Sequence, residues 1–303
     1  MNVCDWRGVE RQQLIPLYER GQRDWLHALR WDASRTWREV EQARTTWGLP
    51  GLVAADDSGA LCGWTFFLPE DDVLHVGGLS ADRPTATSAL LEALVEVSEQ
   101  QATAGLSCFM FDEAPALKPE LARCGFVVEP FLYLARDTAF AGVQGEETGA
   151  TAWQATDVMA AAALLREAYG REAGRHFAPH DTPAEWERYV RNLVEQTACG
   201  ELNGEATRVV RDGDTIAALV LVTSISRDTA HFAQVVVRPS HRGRGLATAL
   251  IAEASAIAAR QGCSAATLLV GSSNGGARRL YEGIGFSERA GFVAARRDVR
   301  RRG

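Results

Sequence analysis

Residues 235–247 read Val-Val-Val-Arg-Pro-Ser-His-Arg-Gly-Arg-Gly-Leu-Ala, and no other stretch constrains the fold as much. An apolar run feeds a glycine-rich turn, and the helical pattern Ala249-Leu250-Ile251 follows. The pattern predicts a buried strand, a turn, and a helix opened by that turn. Such a turn presents several backbone N–H groups at the positive end of a helix dipole, which suits a phosphate or pyrophosphate. Gly243 and Gly245 let the backbone approach a ligand without a Cβ in the way. The spacing is neither Gly-x-Gly-x-x-Gly nor a P-loop, because no Gly-Lys-Ser/Thr follows.

The chain of 303 residues is long enough for two ordinary domains. Its net charge of -7 argues against a general nucleic-acid binder. Six scattered cysteines form no Cys-x-x-Cys pair, so neither a zinc site nor a disulfide framework is expected, and no metal is assigned. The N-terminus lacks a basic-then-apolar leader pattern, and no run approaches the ~20 apolar residues of a membrane span. A cytoplasmic protein with no membrane or nucleic-acid partner is the expectation.

Residues 141–150 are polar, glycine-rich and aperiodic, and are expected to link a first domain, 1–140, to a second, 151–303. In the second half the pattern predicts a helix from Val158 to Tyr169, capped by Asp157, and a second helix opened by the capping box Thr182-Pro183-Ala184-Glu185. Strands over 207–211 and 215–226 flank a tight turn, and a third runs from Ala230 to Arg238. After the glycine turn come a helix to about Gln261, a strand over 265–270, a helix over 274–282 and final strands from Phe286. The first half repeats this plan at an offset of 160: Ala89-Leu90-Leu91 falls on Ala249-Leu250-Ile251, and Gly125-Phe126 on Gly285-Phe286. An internal duplication is expected.

On these residues the second half resembles the GNAT superfamily of CoA-dependent N-acyltransferases. Arg242-Gly243-Arg244-Gly245-Leu246-Ala247 matches its Gln/Arg-x-x-Gly-x-Gly/Ala signature. Asn274, Ala277, Leu280, Tyr281, Gly285 and Phe286 match a second one, in the right order. The resemblance covers about 151–300, and the first half through the duplication. It implies an α/β fold of two tandem GNAT-like domains, an arrangement also found in mycothiol synthase. Each would be a mixed, mostly antiparallel sheet with helices on both faces.

The resemblance also implies roles. Backbone N–H groups from Arg242, Gly243, Arg244, Gly245, Leu246 and Ala247 would hold the CoA pyrophosphate. The pantetheine arm would pair with strand backbone near Val235 and Val237, and Asn274 would hydrogen-bond it. Tyr281 would protonate the departing thiolate; an unperturbed phenol, of pKa ~10, stays protonated at neutral pH. Taken alone, Tyr281 also reads as a helix residue packing on a sheet. His231 stands where some family members carry an acidic base. It has two readings, a base for the amine or a histidine satisfied at a strand end. Gln234 is a substrate contact or a hydrogen-bonded core residue. The loop 170–181 is expected to shape the acceptor pocket, with Arg171, Glu172, Arg175, His176 and Phe177 as specificity candidates. His176 and His180 have helical metal-ligand spacing, but Pro179 and the lack of a third ligand favour a loop.

At the same offset, 82–87 replaces 242–247 with Asp82-Arg83-Pro84-Thr85-Ala86-Thr87, Asn274 maps to Ala114 and Tyr281 to Leu121. The first domain is therefore expected to be degenerate and non-catalytic. Its Trp31 and Trp37 line a ligand cleft or, on the blander reading, pack in the core. The basic tail 296–302 would dock an acyl carrier protein or be a frayed terminus. The expected reaction is acetyl transfer from acetyl-CoA to an amine of a small molecule or peptide. The alternatives are transfer of a longer acyl group, from CoA or a carrier protein in secondary metabolism, and a non-catalytic CoA-binding sensor.

Overall fold

A computed structural model describes residues 1–70, 72–138, 148–196 and 199–298. Two compact units emerge, and their boundaries do not fall at 141–150. The first is Met1–Leu132 together with the chain from Ala290 onward; the second is Tyr133–Arg289. Most of the expected linker, 141–147, and the tail from 299 lie outside the described residues.

In the first unit, β1 (Asn2–Asp5) precedes α1 (Arg11–Leu29) and α2 (Ser34–Thr46). Then come β2 (Gly51–Ala55), β3 (Leu61–Glu70), β4 (Val73–Ala81), α3 (Pro84–Gln100), β5 (Gly105–Phe111), α4 (Leu117–Arg123) and β6 (Val127–Asp137). In the second unit β7 (Thr151–Ala152) leads to α5 (Val158–Gly174), α6 (Pro183–Glu195), β8 (Glu201–Leu202), β9 (Arg208–Asp212), β10 (Thr215–Ser226) and β11 (Thr229–Val237). After these come α7 (Leu246–Arg260), β12 (Ala265–Gly271), α8 (Gly275–Gly283) and β13 (Ser287–Asp298).

The last strand of each half leaves its own half. The order in the first unit is β1-β2-β3-β4-β5-β13, with Phe292–Asp298 antiparallel to Phe111–Gly105. In the second it is β6-β12-β11-β10-β9-β7, with β8 beside β10. Residues 133–137 of β6 thus serve the second unit, and the end of β13 serves the first. A cut at 140 fails for that reason: the edges of β5 and β12 are each closed by a strand from the other half, and an unpaired edge is a liability.

In the second unit α5 and α7 both pack on β10 and β11. Leu219, Leu221 and Val236 join Trp186, Leu164 and Leu165 in the core under α5 and α6, so the alternate residues of these strands face α7. In the first unit α3 and α4 cover a core of Leu74, Val76, Leu106, Cys108, Val293 and Ala295. Trp25 of α1, Trp37 of α2 and Trp31 between them pack against one another. Trp25 meets Trp31 at 5.3 Å and Trp37 at 5.6 Å, and Trp37 meets Trp64 at 5.1 Å, edge to face. Trp31 and Trp37 are buried, so the blander reading of both holds.

The two units keep the same irregularities. β10 and β11 lose register between Leu221/Val222, which leaves Ala233 as a bulge; β3 and β4 do so between Phe66/Phe67, which leaves Gly77. Gly125 and Gly285, both at positive φ, end α4 and α8 in the same way, with the amides of Phe126 and Phe286 reaching the carbonyls of Leu121 and Tyr281. The offset is not uniform, however. The parallel pairing starts at Val73↔Gly105 in one unit and Thr229↔Ala265 in the other, so the strands stand 156 apart (229 less 73) and the following elements 160 apart (265 less 105). Four residues are missing from the first half between β4 and α3.

Candidate active site

β11 and β12 run parallel only from Thr229↔Ala265 to Phe232↔Leu268, although β11 continues to Val237 and β12 to Gly271. Beyond Phe232 the strands part. The bulge at Ala233 turns β11 there, and among the described residues Gln234, Val235, Val236 and Val237 pair with β10 alone. Half of the backbone groups of this stretch therefore face a gap.

The gap leads to the glycine turn. Gly243 and Gly245 have φ of 76° and 74°, which β-carbon-bearing residues rarely adopt, and a Cβ at either would meet nothing within 4 Å. Gly245 caps α7 without a side-chain hydrogen bond. Among the described residues, no backbone acceptor takes the amides from Gly243 to Thr248. The turn is braced from behind. Arg242 donates to the carbonyls of Ala168 (3.0 Å) and Val237 (3.3 Å), and Arg244 to that of Ser240 (3.2 Å). Both guanidiniums meet neutral oxygens, and among the described residues neither has an acidic partner. An open cradle, unbonded amides and local positive charge fit the pyrophosphate of a nucleotide-like cofactor such as CoA.

Asn274 is the N-cap of α8, where its side-chain oxygen accepts from the amide of Ala277 at 3.1 Å. The cap uses the oxygen and leaves the side-chain NH2 to donate. Tyr281 follows two turns later, 8% exposed, with Phe286 at 6.0 Å. Burial pushes its phenol up to about 12, so the proton stays on at neutral pH. Its hydroxyl makes no hydrogen bond among the described residues.

His231 is placed differently from Tyr281. It lies in the paired part of β11, opposite Thr267, with Nδ1 3.0 Å from the Thr267 hydroxyl and its ring stacked on Tyr133 at 5.9 Å. It is 3% exposed, and burial pulls its pKa down to about 4. This is the geometry of a satisfied sheet histidine. Gln234, just past the bulge, is bound by two tyrosines: its carbonyl accepts from Tyr169 and its NH2 donates to Tyr189, each at 2.7 Å. Phe177 packs against Tyr189 (4.9 Å) and Tyr169 (5.3 Å), which brings that loop residue to Gln234; His176, its neighbour, is half-buried. Sequence reasoning missed Tyr169 and Tyr189. Their spacing reads only as two helix residues, and nothing local says that both reach one glutamine.

Smaller expectations also changed. Asp157 does not cap α5; its carboxylate turns back to the amide of Gln154 and pairs with Arg211. Gly170 (φ 64°, ψ 178°) kinks α5 directly after Tyr169. His180 pairs with Glu185 at 2.7 Å, inside the intact Thr182–Glu185 capping box. Among the described residues no three metal-ligating side chains cluster, and no helix is long and apolar enough to cross a membrane.

Residues 163–286 match the acetyltransferase (GNAT) family model. Among solved structures, a GCN5-related N-acetyltransferase from Sphaerobacter thermophilus is 19% identical, with a TM-score of 0.61 over 82% of this chain and 80% of that one. A tandem GNAT protein from the clavulanic acid biosynthesis pathway is 16% identical, with a TM-score of 0.56 over 82% of each chain. A GCN5-related N-acetyltransferase from Kribbella flavida is 21% identical, with a TM-score of 0.51 over 78% of this chain and 86% of that one. At these identities the likeness is one of fold. No curated protein sequence matches the chain.

Proposed function

We propose, from the premise that residues 163–286 belong to the GNAT acetyltransferase family and that the chain is an acyltransferase, that it moves an acetyl group from acetyl-CoA to an amine by direct attack. The observation that carries this reading is one continuous feature: the parting of β11 from β12, which opens onto the unbonded amides of the glycine turn. The amides from Gly243 to Thr248, with Arg242 and Arg244, would hold the pyrophosphate. The unpaired backbone near Val235 and Val237 would bind the pantetheine arm, and the Asn274 NH2 would steady it. When bound, acetyl-CoA supplies an activated acyl carbon. Tyr281 keeps its proton until sulfur departs and then donates it. His231 is better suited to packing than to taking the amine proton, because it is sealed between Thr267 and Tyr133.

The first unit would bind no CoA. Only Asp82 and Arg83 separate β4 from α3, and Asp82 is held by Arg83 at 2.7 Å and Arg20 at 3.8 Å. Two residues leave no room for a glycine turn there, and Pro84 at the start of α3 has no N–H to offer a pyrophosphate.

The decisive variant is Tyr281→Phe. Thiol release from acetyl-CoA in the presence of an amine should fall about 10²-fold or more, with acetyl-CoA affinity by calorimetry unchanged. Undiminished release would remove Tyr281 as the acid, and binding with no thiol release by the wild type would identify a sensor.

A further inference from the structure

Gln234 lies opposite Leu221, on the side of β11 that faces α5 and α6, and is 6% exposed. Two tyrosines fix its amide. Tyr169 spends its only proton on the glutamine oxygen, which leaves the phenol's lone pairs as acceptors. Tyr189 accepts from the glutamine NH2 and keeps its own proton. Trp186 stacks on Tyr169 at 6.0 Å, and Phe177 covers Tyr189. Burial first, and then the Tyr281 phenol, raise the Tyr169 pKa, so the clamp is coupled electrostatically to Tyr281.

Among the titratable groups around this clamp, the buried phenols, the Cys199 thiol and His231 carry no charge at pH 7. Burial pushes Tyr281 up to about 12 and the Cys199 thiol up to about 11, raises both clamp phenols further, and holds His231 at about 4. The acids on the packed elements are committed elsewhere. Glu167 of α5 pairs with Arg238, Asp181 with Arg166 and the Trp186 indole, Glu185 with His180 and Thr182, and Glu187 with Arg191. Glu172 pairs with Arg175 and Glu195 with Arg191, and Arg188 of α6 and His176 of the loop have partners of their own.

We propose that Gln234, held by Tyr169 and Tyr189, is the positioning residue for the acceptor nitrogen, and that this neutral clamp selects amines already unprotonated near neutral pH, such as aromatic amines and α-amines, over alkylammonium acceptors. The inference rests on the acetyl-transfer reading. The nitrogen lone pair forms the new N–C bond as the C–S bond breaks, and the sulfur takes the Tyr281 proton. The nitrogen then releases one proton, which restores Tyr281 directly or through water, so amine and thioester become amide and thiol with no other reactant. A neutral clamp orients the nitrogen through an N–H donated to the Tyr169 oxygen, but it cannot strip an ammonium. At pH 7 an α-amine of pKa ~8 is unprotonated roughly a hundredfold more often than an alkylamine of pKa ~10.

The test follows coenzyme A release from acetyl-CoA with aniline, glycinamide and butylamine between about pH 6 and 9, and amine binding through tryptophan fluorescence at saturating coenzyme A. The rate with butylamine should climb in proportion to its free base, while that with aniline stays flat and exceeds it at least tenfold at pH 7. Gln234→Glu should raise butylamine at least tenfold relative to aniline. Tyr169→Phe should lower kcat for aniline and leave the KM for acetyl-CoA unchanged. The His176→Ala profile should keep its shape. Equal or better use of butylamine at pH 7, an unchanged ratio in Gln234→Glu, a lost limb in His176→Ala, or no binding or turnover of any of the three amines overturns the clamp. Acetyl-CoA affinity separates the two ideas: a chain that does not bind acetyl-CoA defeats the acetyl-transfer reading itself.

Discussion

Arg44 and Glu41 form an ion pair that water barely reaches, with side chains 3% and 10% exposed and an N–O distance of 2.7 Å. Arg44 also donates to the carbonyls of Trp6 and Val9, and Tyr18 donates to Glu41 at 3.0 Å, so every charge in the group has a partner. Removing one partner leaves the other buried and uncompensated. Glu41→Gln should therefore cost about 3 kcal/mol in urea unfolding, several times the loss from an exposed pair such as Arg35–Glu39. Burial by itself raises the Glu41 pKa, but the bonds from Arg44 and Tyr18 outweigh it and the net direction is down. Stability from a depressed carboxylate is complete above its unfolded pKa, near 4.3, and is lost as pH falls through the lower folded value. Wild type should thus lose stability below about pH 4 more steeply than Glu41→Gln; parallel acid-unfolding curves would falsify this account.

Among the elements, the turn before α7 does most to define the site, and its conformation depends on two glycines. Gly245→Ala forces a β-carbon to φ 74° and should strain the turn by about 1 kcal/mol. Acetyl-CoA affinity should fall about tenfold by calorimetry. Gly213→Ala, at φ 57° in the β9–β10 turn, is a matched control that should leave affinity alone. Equal effects from the two would show that the turn responds to general loss of stability. Much of this element was legible beforehand: strand, turn and helix lie within one or two residues of the expected bounds, because apolar runs and glycines act locally. The Tyr169–Gln234–Tyr189 clamp was not legible, since it joins residues on three elements, and its geometry depends on a bulge at Ala233 that no residue type announces. The sequence left His231 two readings, a base by its position along the strand or a satisfied strand histidine; its burial against Tyr133 and Thr267 favours the second.

For the whole molecule, the exchange of final strands decides what can be separated. Residues 133–137 bring Tyr133 to His231, and Arg136 to the carbonyl of Ile284 (2.9 Å) and the face of Phe286 (5.0 Å). A fragment of residues 148–303 lacks all of these and carries an unpaired β12 edge. It should unfold without a cooperative urea transition or aggregate, and co-expression with residues 1–147 should restore both folding and acetyl-CoA binding. An independently folded, CoA-binding fragment would refute the dependence. The repeat of the plan was visible in the sequence as an offset of 160. The exchange was not, because homologous strands carry the same apolar pattern whichever sheet they join.

The same exchange sets a timetable for the newly made chain. The first unit is begun before the second, yet its closing strand is made only after the whole of the second unit. Between Phe111, the end of β5, and Ala290 the ribosome must add 179 residues (290 less 111). At ~5–20 residues per second this takes roughly 10–40 s. Throughout that interval β5 awaits its final neighbour, so the unit begun earlier is finished after the one that carries the glycine turn.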